Sequence, residues 1–257
     1  MQETQLKPAN GKKAPQVQVS LVHKSFGNQA VLKGIDLEVA RGETLSVLGR
    51  SGTGKSVLLK LIIGLHKPDS GSICVEDKEI TKLPPKALNE VRKKIGFLFQ
   101  QGALYDSLTV EENVAFPLQR HSSMSGEGRK ERVRQLLAQV GMEGDAHKMP
   151  GEISGGMQKR AGLARALALE PDILLFDEPT SGLDPITAKE ICELILRLQK
   201  ERRITSIVVT HDMDGARAVS DRLALMKDGQ VLIQGTFDDL RKSQDPFVNQ
   251  FLSGSEE

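Results

Sequence analysis

Apolar and polar residues alternate along 16–22 and again along 31–39, with Gly27-Asn28 between them. A period of two belongs to a strand with one dry face, and the intervening turn joins the two runs into an antiparallel hairpin. Residues 43–48 and 95–99 read as short buried strands, and 72–75 as another behind the turn 68–71. Residues 173–176 and 205–209 are continuous apolar runs, the pattern of central parallel strands covered on both faces. Between about 106 and 168 the texture turns helical. Residues 129–140 carry apolar positions at helical spacing, and a glycine- and charge-rich loop over 141–151 leads to a helix starting near Ser154. Residues 188–202 repeat apolar positions at i, i+3 and i+4, and 223–226 with 231–233 form a closing hairpin around 227–229. The pattern predicts an α/β core with an antiparallel β portion and a helical insertion, without internal repeats.

The polar, lysine-bearing residues 1–14 read as a flexible tail and carry no secretory signal. The chain has 257 residues, enough for a substantial core, and a formal net charge of +1, which argues against a general nucleic-acid binder. Its two cysteines, Cys74 and Cys192, lie far apart in apolar segments and read as buried free thiols of a reducing compartment. No apolar run is long enough to cross a bilayer, so the expectation is a cytoplasmic chain whose membrane role comes through a partner.

The chemistry starts at Gly49-Arg50-Ser51-Gly52-Thr53-Gly54-Lys55-Ser56, which fits G-x-x-x-x-G-K-[ST] between a buried strand and a helix that Val57 continues. Glycines let the backbone curl so that several N–H groups face a phosphate, and the helix N-terminus adds partial positive charge. Lys55 can reach the β- and γ-phosphates and the Ser56 hydroxyl can ligate Mg²⁺. Two further strand ends carry polar groups. Asp177 and Glu178 follow the run 173–176; Asp177 suits Mg²⁺ support through water, and Glu178 suits orienting or deprotonating an attacking water. His211 follows 205–209 and can donate to a γ-phosphate oxygen or to that water. The other histidines, His23, His66, His121 and His147, receive no role. Gln100 closes 95–99, and its amide oxygen can reach Mg²⁺ and sense the γ-phosphate.

Glu152-Ile153-Ser154-Gly155-Gly156-Met157-Gln158-Lys159-Arg160 stands before the Asp177-Glu178 pair and resembles the signature motif of ABC-type ATPases, usually Leu-Ser-Gly-Gly-Gln. The resemblance covers about residues 16–235. It implies a P-loop NTPase (RecA-like) core of mostly parallel strands, ATP and Mg²⁺ as cofactors, and ATP hydrolysis. Phe26 then takes the place of the aromatic that stacks on adenine, Gln100 that of the Q-loop glutamine, Ser181-Gly182-Leu183-Asp184 that of the D-loop and His211 that of the switch histidine. Ser154, Gly155 and Gly156 clamp the γ-phosphate held by the other protomer of a homodimer. The implied division is a tail over 1–14, an ATPase domain over 15–240 with a helical subdomain at about 106–168, and a helical tail over 241–257.

Met157, Ile153 and Arg50 depart from the usual residues without touching a hydrolytic group. The Ser-Gly-Gly-Met-Gln-Lys-Arg run, the segment 99–118, Asp184-Pro185-Ile186-Thr187 and the end 245–252 resemble the ATPases of Mla/Mce lipid transporters. That narrower likeness implies phospholipid transport between inner and outer membranes, integral-membrane permease subunits, a small STAS-domain regulator and an Mce-domain protein as partners, and a place on the inner face of the inner membrane. The alternatives are the ATPase of a polar-solute importer or lipoprotein-release system, or a non-transport ABC protein. Leu104, Tyr105, Leu108 and Val110 are apolar within what reads as a surface loop, and are expected to receive the permease.

Overall fold

Leu45, Val47, Ile173, Leu175, Ile207 and Val209 are excluded from solvent on one face of a sheet, and Leu174, Phe176 and Val208 on the other. Strands buried on both faces need apolar residues at both parities, which is why these runs are continuous. The computed structural model describes residues 15–253. The tail expected over 1–14 lies outside them, as do the last four residues of the tail expected over 241–257.

In chain order the elements are β1 (Pro15–Phe26), β2 (Gln29–Ala40), β3 (Thr44–Leu48), α1 (Lys55–Ile62), β4 (Ser70–Val75), β5 (Lys78–Glu79), α2 (Pro85–Arg92), β6 (Ile95–Leu98), α3 (Val110–His121), α4 (Gly126–Gln139), α5 (Gly155–Ala166), β7 (Ile173–Asp177), α6 (Pro185–Arg202), β8 (Thr205–Thr210), α7 (Met213–Val219), β9 (Arg222–Lys227), β10 (Gln230–Gly235), α8 (Phe237–Arg241) and α9 (Pro246–Ser253). One sheet runs β10-β9-β3-β8-β7-β6, parallel except for β10, and the other is antiparallel in the order β2-β1-β4-β5. This is the expected α/β P-loop organisation.

Three apolar clusters hold it together. The first joins α1 and the antiparallel sheet to one face of the parallel sheet. The second packs α3, α4, α5 and α6 on the opposite face. The third gathers Leu48, Leu223 and Leu225 under α7, α8 and α9. There Phe247 of α9 lies 5.7 Å from the Arg50 guanidinium and 4.5 Å from the Lys227 ammonium. No helix among the described residues is long and apolar enough to cross a membrane.

Several expectations need correcting. The helix expected over 129–140 starts at Gly126, because Ser125 accepts from the Gly128 N–H and caps it there. The loop 141–151 contains two short 3₁₀ turns, Glu143–Asp145 and Pro150–Glu152. Cys192 is buried, but Cys74 faces outward enough to be half-buried, since its strand covers only one side. Val110 is no surface residue: it is fully buried as the first residue of α3, and Leu104 packs against the helical cluster. Of the expected apolar set only Tyr105 is exposed, with Leu108 half-buried.

Candidate active site

Register sets the site. Leu48 pairs with Thr210, Asp177 with Val209 and Leu98 with Phe176. The C-terminal ends of β3, β8, β7 and β6 therefore share one edge, where open α/β sheets bind ligands. The phosphate loop leaves β3 at Gly49 and enters α1 at Lys55 with Gly52 at φ 81° and Gly54 at φ 98°. A Cβ on Gly54 would meet the Leu32 side chain at 2.6 Å, so this position needs glycine for close approach to β2 as well as for its turn.

Lys55 is buried, and its ammonium donates to the carbonyls of Gly49 at 2.7 Å and Arg50 at 3.1 Å. It also lies 3.6 Å from Glu178 Oε1. Burial lowers its pKa from the ordinary lysine value, and the carboxylates of Glu178 and Asp177 work against that. Ser56 Oγ donates to Asp177 Oδ1 at 2.6 Å. Burial pushes the Asp177 carboxyl up, only partly offset by the Ser56 hydrogen bond. A hydroxyl and a buried carboxylate converging on one point are hard oxygen donors of the kind Mg²⁺ takes, and a carboxylate this desolvated gains from a cation. The residues present thus fit Mg²⁺, which Ser56 and Asp177 would hold.

Glu178 is buried with a left-handed backbone, φ 49°, sparsely populated for a residue with a Cβ. Its N–H donates to Val209 O at 2.9 Å, and its carbonyl accepts from Ser181 N at 3.2 Å and Lys159 Nζ at 3.0 Å. Held this way, the carboxylate meets Lys55 through Oε1, and Thr210 Oγ1 at 3.2 Å and His211 Nδ1 at 2.9 Å through Oε2. With an Nδ1 proton given to Glu178, Nε2 of a neutral imidazole can only accept. Donation from His211 to a phosphate requires the protonated ring or a shift off the carboxylate. The His211 side chain is 62% exposed, which leaves it room to move off the carboxylate.

The structure therefore brings together Gly49, Lys55, Ser56, Asp177, Glu178 and His211. Arg50, Ser51 and Gly52 lie exposed on the outer turn of the loop; Thr53 and Val57 are half-buried. Gln100 is exposed and its amide reaches Ser181 Oγ at 3.4 Å. With Ser181, Gly155 and Lys159 it lines a cleft of about 370 Å³. Phe26 is 45% exposed and meets the His66 ring edge-on at 5.4 Å, with the Lys24 ammonium 5.3 Å from its centroid. His66, given no role from sequence, thus braces a candidate base-stacking ring. Ser154 caps α5 by accepting from Met157 N at 3.3 Å, leaving Ser154 and Gly155 open to solvent. Among the described residues no hydrogen bond or ion pair joins 154–156 to the phosphate loop. Met157 packs on the helical cluster, so its departure from glutamine serves the core. Sequence reasoning missed Lys159, a buried cation one helical turn beyond the cap; a lysine inside an otherwise small, apolar helix face was the available signal.

The model of the ABC transporter family matches residues 32–181. The chain is 42% identical over 238 residues to the "Probable ribonucleotide transport ATP-binding protein" of Mycobacterium tuberculosis, covering 93% of this chain and 66% of that one. It thus spans just under two thirds of that relative's length. It is 42% identical to the intermembrane phospholipid transport system ATP-binding protein MlaF of Haemophilus influenzae, covering 89% and 86%. To the methionine import ATP-binding protein MetN 2 of Rhodococcus jostii it is 43% identical, covering 93% and 72%. Among solved structures it superposes on the dimeric ATP-binding cassette MJ0796 in a post-hydrolysis state bound to ADP and phosphate, with a TM-score of 0.79 and 38% identity, covering 86% of this chain and 98% of that one.

Proposed function

This chain belongs to the ABC transporter family, and from that premise we propose that it is the ATP-hydrolysing subunit of a transport system, working as a homodimer beneath integral-membrane permease subunits. It is an α/β P-loop ATP hydrolase that uses ATP and Mg²⁺. The proposed division is an ATPase domain over 15–240 with a helical subdomain at about 106–168, followed by a C-terminal helical tail.

In the proposed mechanism the loop 49–56 binds the phosphates and Lys55 swings from the Gly49 and Arg50 carbonyls to the β- and γ-oxygens. Ser56 and Asp177 would hold Mg²⁺, which when bound would offset the charge that develops on the phosphates. Glu178 orients a water and takes its proton, and His211 carries the γ-phosphate contact. Gln100 reports γ-phosphate and metal to the segment after β6. Phe26 stacks on the base, and Ser154, Gly155 and Gly156 close on the partner protomer's nucleotide. The observation that carries the reading is the Glu178 carboxylate, fixed within reach of both Lys55 and His211 at the end of β7. Glu178→Gln, assayed by phosphate release and nucleotide-binding fluorescence, is expected to bind ATP normally and to lose about 10²–10⁴-fold in kcat, the scale of a general base. Turnover near the wild-type rate would remove Glu178 from that role.

The cargo is a separate matter. Relatives named for ribonucleotide, phospholipid and methionine transport stand at near-equal identity, which supports an ABC system of unassigned cargo over the phospholipid reading taken from sequence. The phospholipid reading keeps one specific support, the 86% of the phospholipid transport relative's length that the chain covers. Purification from membranes separates the two: an Mce-domain protein and a STAS-domain protein eluting with the permease would favour phospholipid, and a solute-binding protein would exclude it.

A further inference from the structure

Lys159 is a buried ammonium whose hydrogen-bond partners, among the described residues, are two main-chain carbonyls, Gln100 O and Glu178 O. No carboxylate pairs with it directly, although Asp177 and Glu178 lie close enough to favour its charged form against burial. An ammonium taken from water without a paired counter-ion is costly, and two hydrogen bonds that both end on carbonyls make a tether rather than a packing element. Close packing delivers it. A Cβ on Gly162 would strike Leu98 at 2.9 Å and Gly102 at 3.2 Å, and one on Gly96 would strike Ala166 O at 2.5 Å. Those two glycines let α5 lie directly on β6 and the turn after it. The turn has a second, independent clasp, because Arg165 donates to the carbonyls of Gly102 and Ala103 at 2.8 Å each. Lys159 is therefore not needed merely to fold the turn. What it supplies and Arg165 does not is a direct link, among the described residues, from the Gln100 main chain to the carbonyl of Glu178, whose left-handed backbone decides where its carboxylate points.

We propose that Lys159 is a positioning residue for hydrolysis: it ties the Gln100 segment and the helix headed by Ser154 to the backbone of Glu178, so that movement of either re-aims the Glu178 carboxylate. This rests on the reading of Glu178 as the base. The test uses the full chain, with Lys159→Met removing every donor and Lys159→Gln keeping one donor group on a shorter arm. Lys159→Met is expected to lower kcat for ATP at least tenfold while KM, fluorescent-nucleotide affinity and Tm stay near wild type. Lys159→Gln should fall between the two. Combined with Glu178→Gln, Lys159→Met should add no further loss, because the group it aims is already gone. A kcat within twofold of wild type in Lys159→Met overturns the inference. So does a kcat loss that multiplies with that of Glu178→Gln, or one matched by equal losses of Tm and nucleotide affinity. If Lys159→Met does not fold, Lys159→Gln decides: a severalfold loss of kcat at unchanged nucleotide affinity supports the tether, and unchanged kcat overturns it. Near-normal turnover by Glu178→Gln alone is a different failure, which removes the base assignment and with it the route through Glu178.

Discussion

Asp177 and Glu178 are neighbours with opposite surroundings. Glu178 has a lysine, a threonine and a histidine around its carboxylate; Asp177 has one hydroxyl and burial. Burial raises the Asp177 pKa above its ordinary 3.8. Over the window between 3.8 and the raised value the folded chain holds a proton that the unfolded chain has released, so this group's contribution to stability falls as pH rises through the window. At neutral pH the apo protein thus carries an undercompensated charge. Asp177→Asn is expected to melt higher than wild type without Mg²⁺, on the scale of about 2–4 °C, and to lose both Mg²⁺-dependent turnover and the extra stabilisation that Mg²⁺ with nucleotide confers. Calorimetry at pH 7 checks the first, and the gap between the two apo proteins should close as pH falls toward 4. An Asp177→Asn chain that melts lower at pH 7 would mean that the carboxylate is compensated. The residues of this edge were legible because each follows an apolar run directly. Lys159 was not, because its partners are main-chain carbonyls from two distant segments, which leave no mark in composition or spacing.

At the scale of elements, the stretch between β6 and α3 is held from within. Asn113 is fully buried; its amide nitrogen donates to the carbonyls of Tyr105, Leu108 and Thr109, and its oxygen accepts from Tyr105 N. Asn113→Ala leaves these main-chain groups unpartnered next to a core and is expected to cost about 2–4 kcal/mol, seen as a lower Tm with earlier proteolytic cleavage over 104–109. Stable folding with unchanged cleavage would count against that role. The same bracing presents Tyr105, tilted against Phe116 at 4.9 Å with the Arg120 guanidinium over the Phe116 ring, as an exposed aromatic of this surface. We propose that the permease docks here, now through Tyr105 and Leu108 without Val110. Tyr105→Asp and Leu108→Asp should abolish transport and co-purification with the permease while ATP binding persists; continued co-purification would move the docking site elsewhere. Helices α2 and α7 escaped sequence reading for simple reasons. In α2 only Val91 is buried, and two prolines precede the rest, so there is almost no apolar period. Seven-residue α7 buries Ala216 and Val219 and owes its start to the Asp212 cap.

For the whole molecule, Ser154 at the head of α5 and Lys55 at the head of α1 belong to helices on opposite faces of the parallel sheet. Among the described residues no hydrogen bond or ion pair joins the Ser-Gly-Gly cap to the chain's own phosphate loop, which is why the homodimer is part of the proposal. Mixing Lys55→Ala chains with Ser154→Arg chains is expected to leave at most one intact composite site per mixed dimer, recovering no more than about half of wild-type turnover from two inactive parents. Full activity in either parent as a monomer would refute the arrangement. The α/β class, the parallel core and the helical layer were all readable, because burial on two faces, on one face and at helical spacing leave three different periods. The pairing order was not, since every buried strand is apolar in the same way.

That pairing order has a consequence for synthesis. β3, which launches the phosphate loop, takes both its neighbours, β8 and β9, from more than 150 residues later in the chain. At about 5–20 residues per second, a ribosome leaves this strand with two open edges for roughly 8–30 s. The antiparallel hairpin β1–β2 can form at once, but the strand after it must wait, apolar and unpaired, in the state most prone to aggregate. Chaperone dependence during translation is therefore expected to fall on β3 while the residues up to Thr205 are being made. A fragment stopped before Thr205 would carry the whole Gly49–Ser56 sequence and still have no nucleotide site.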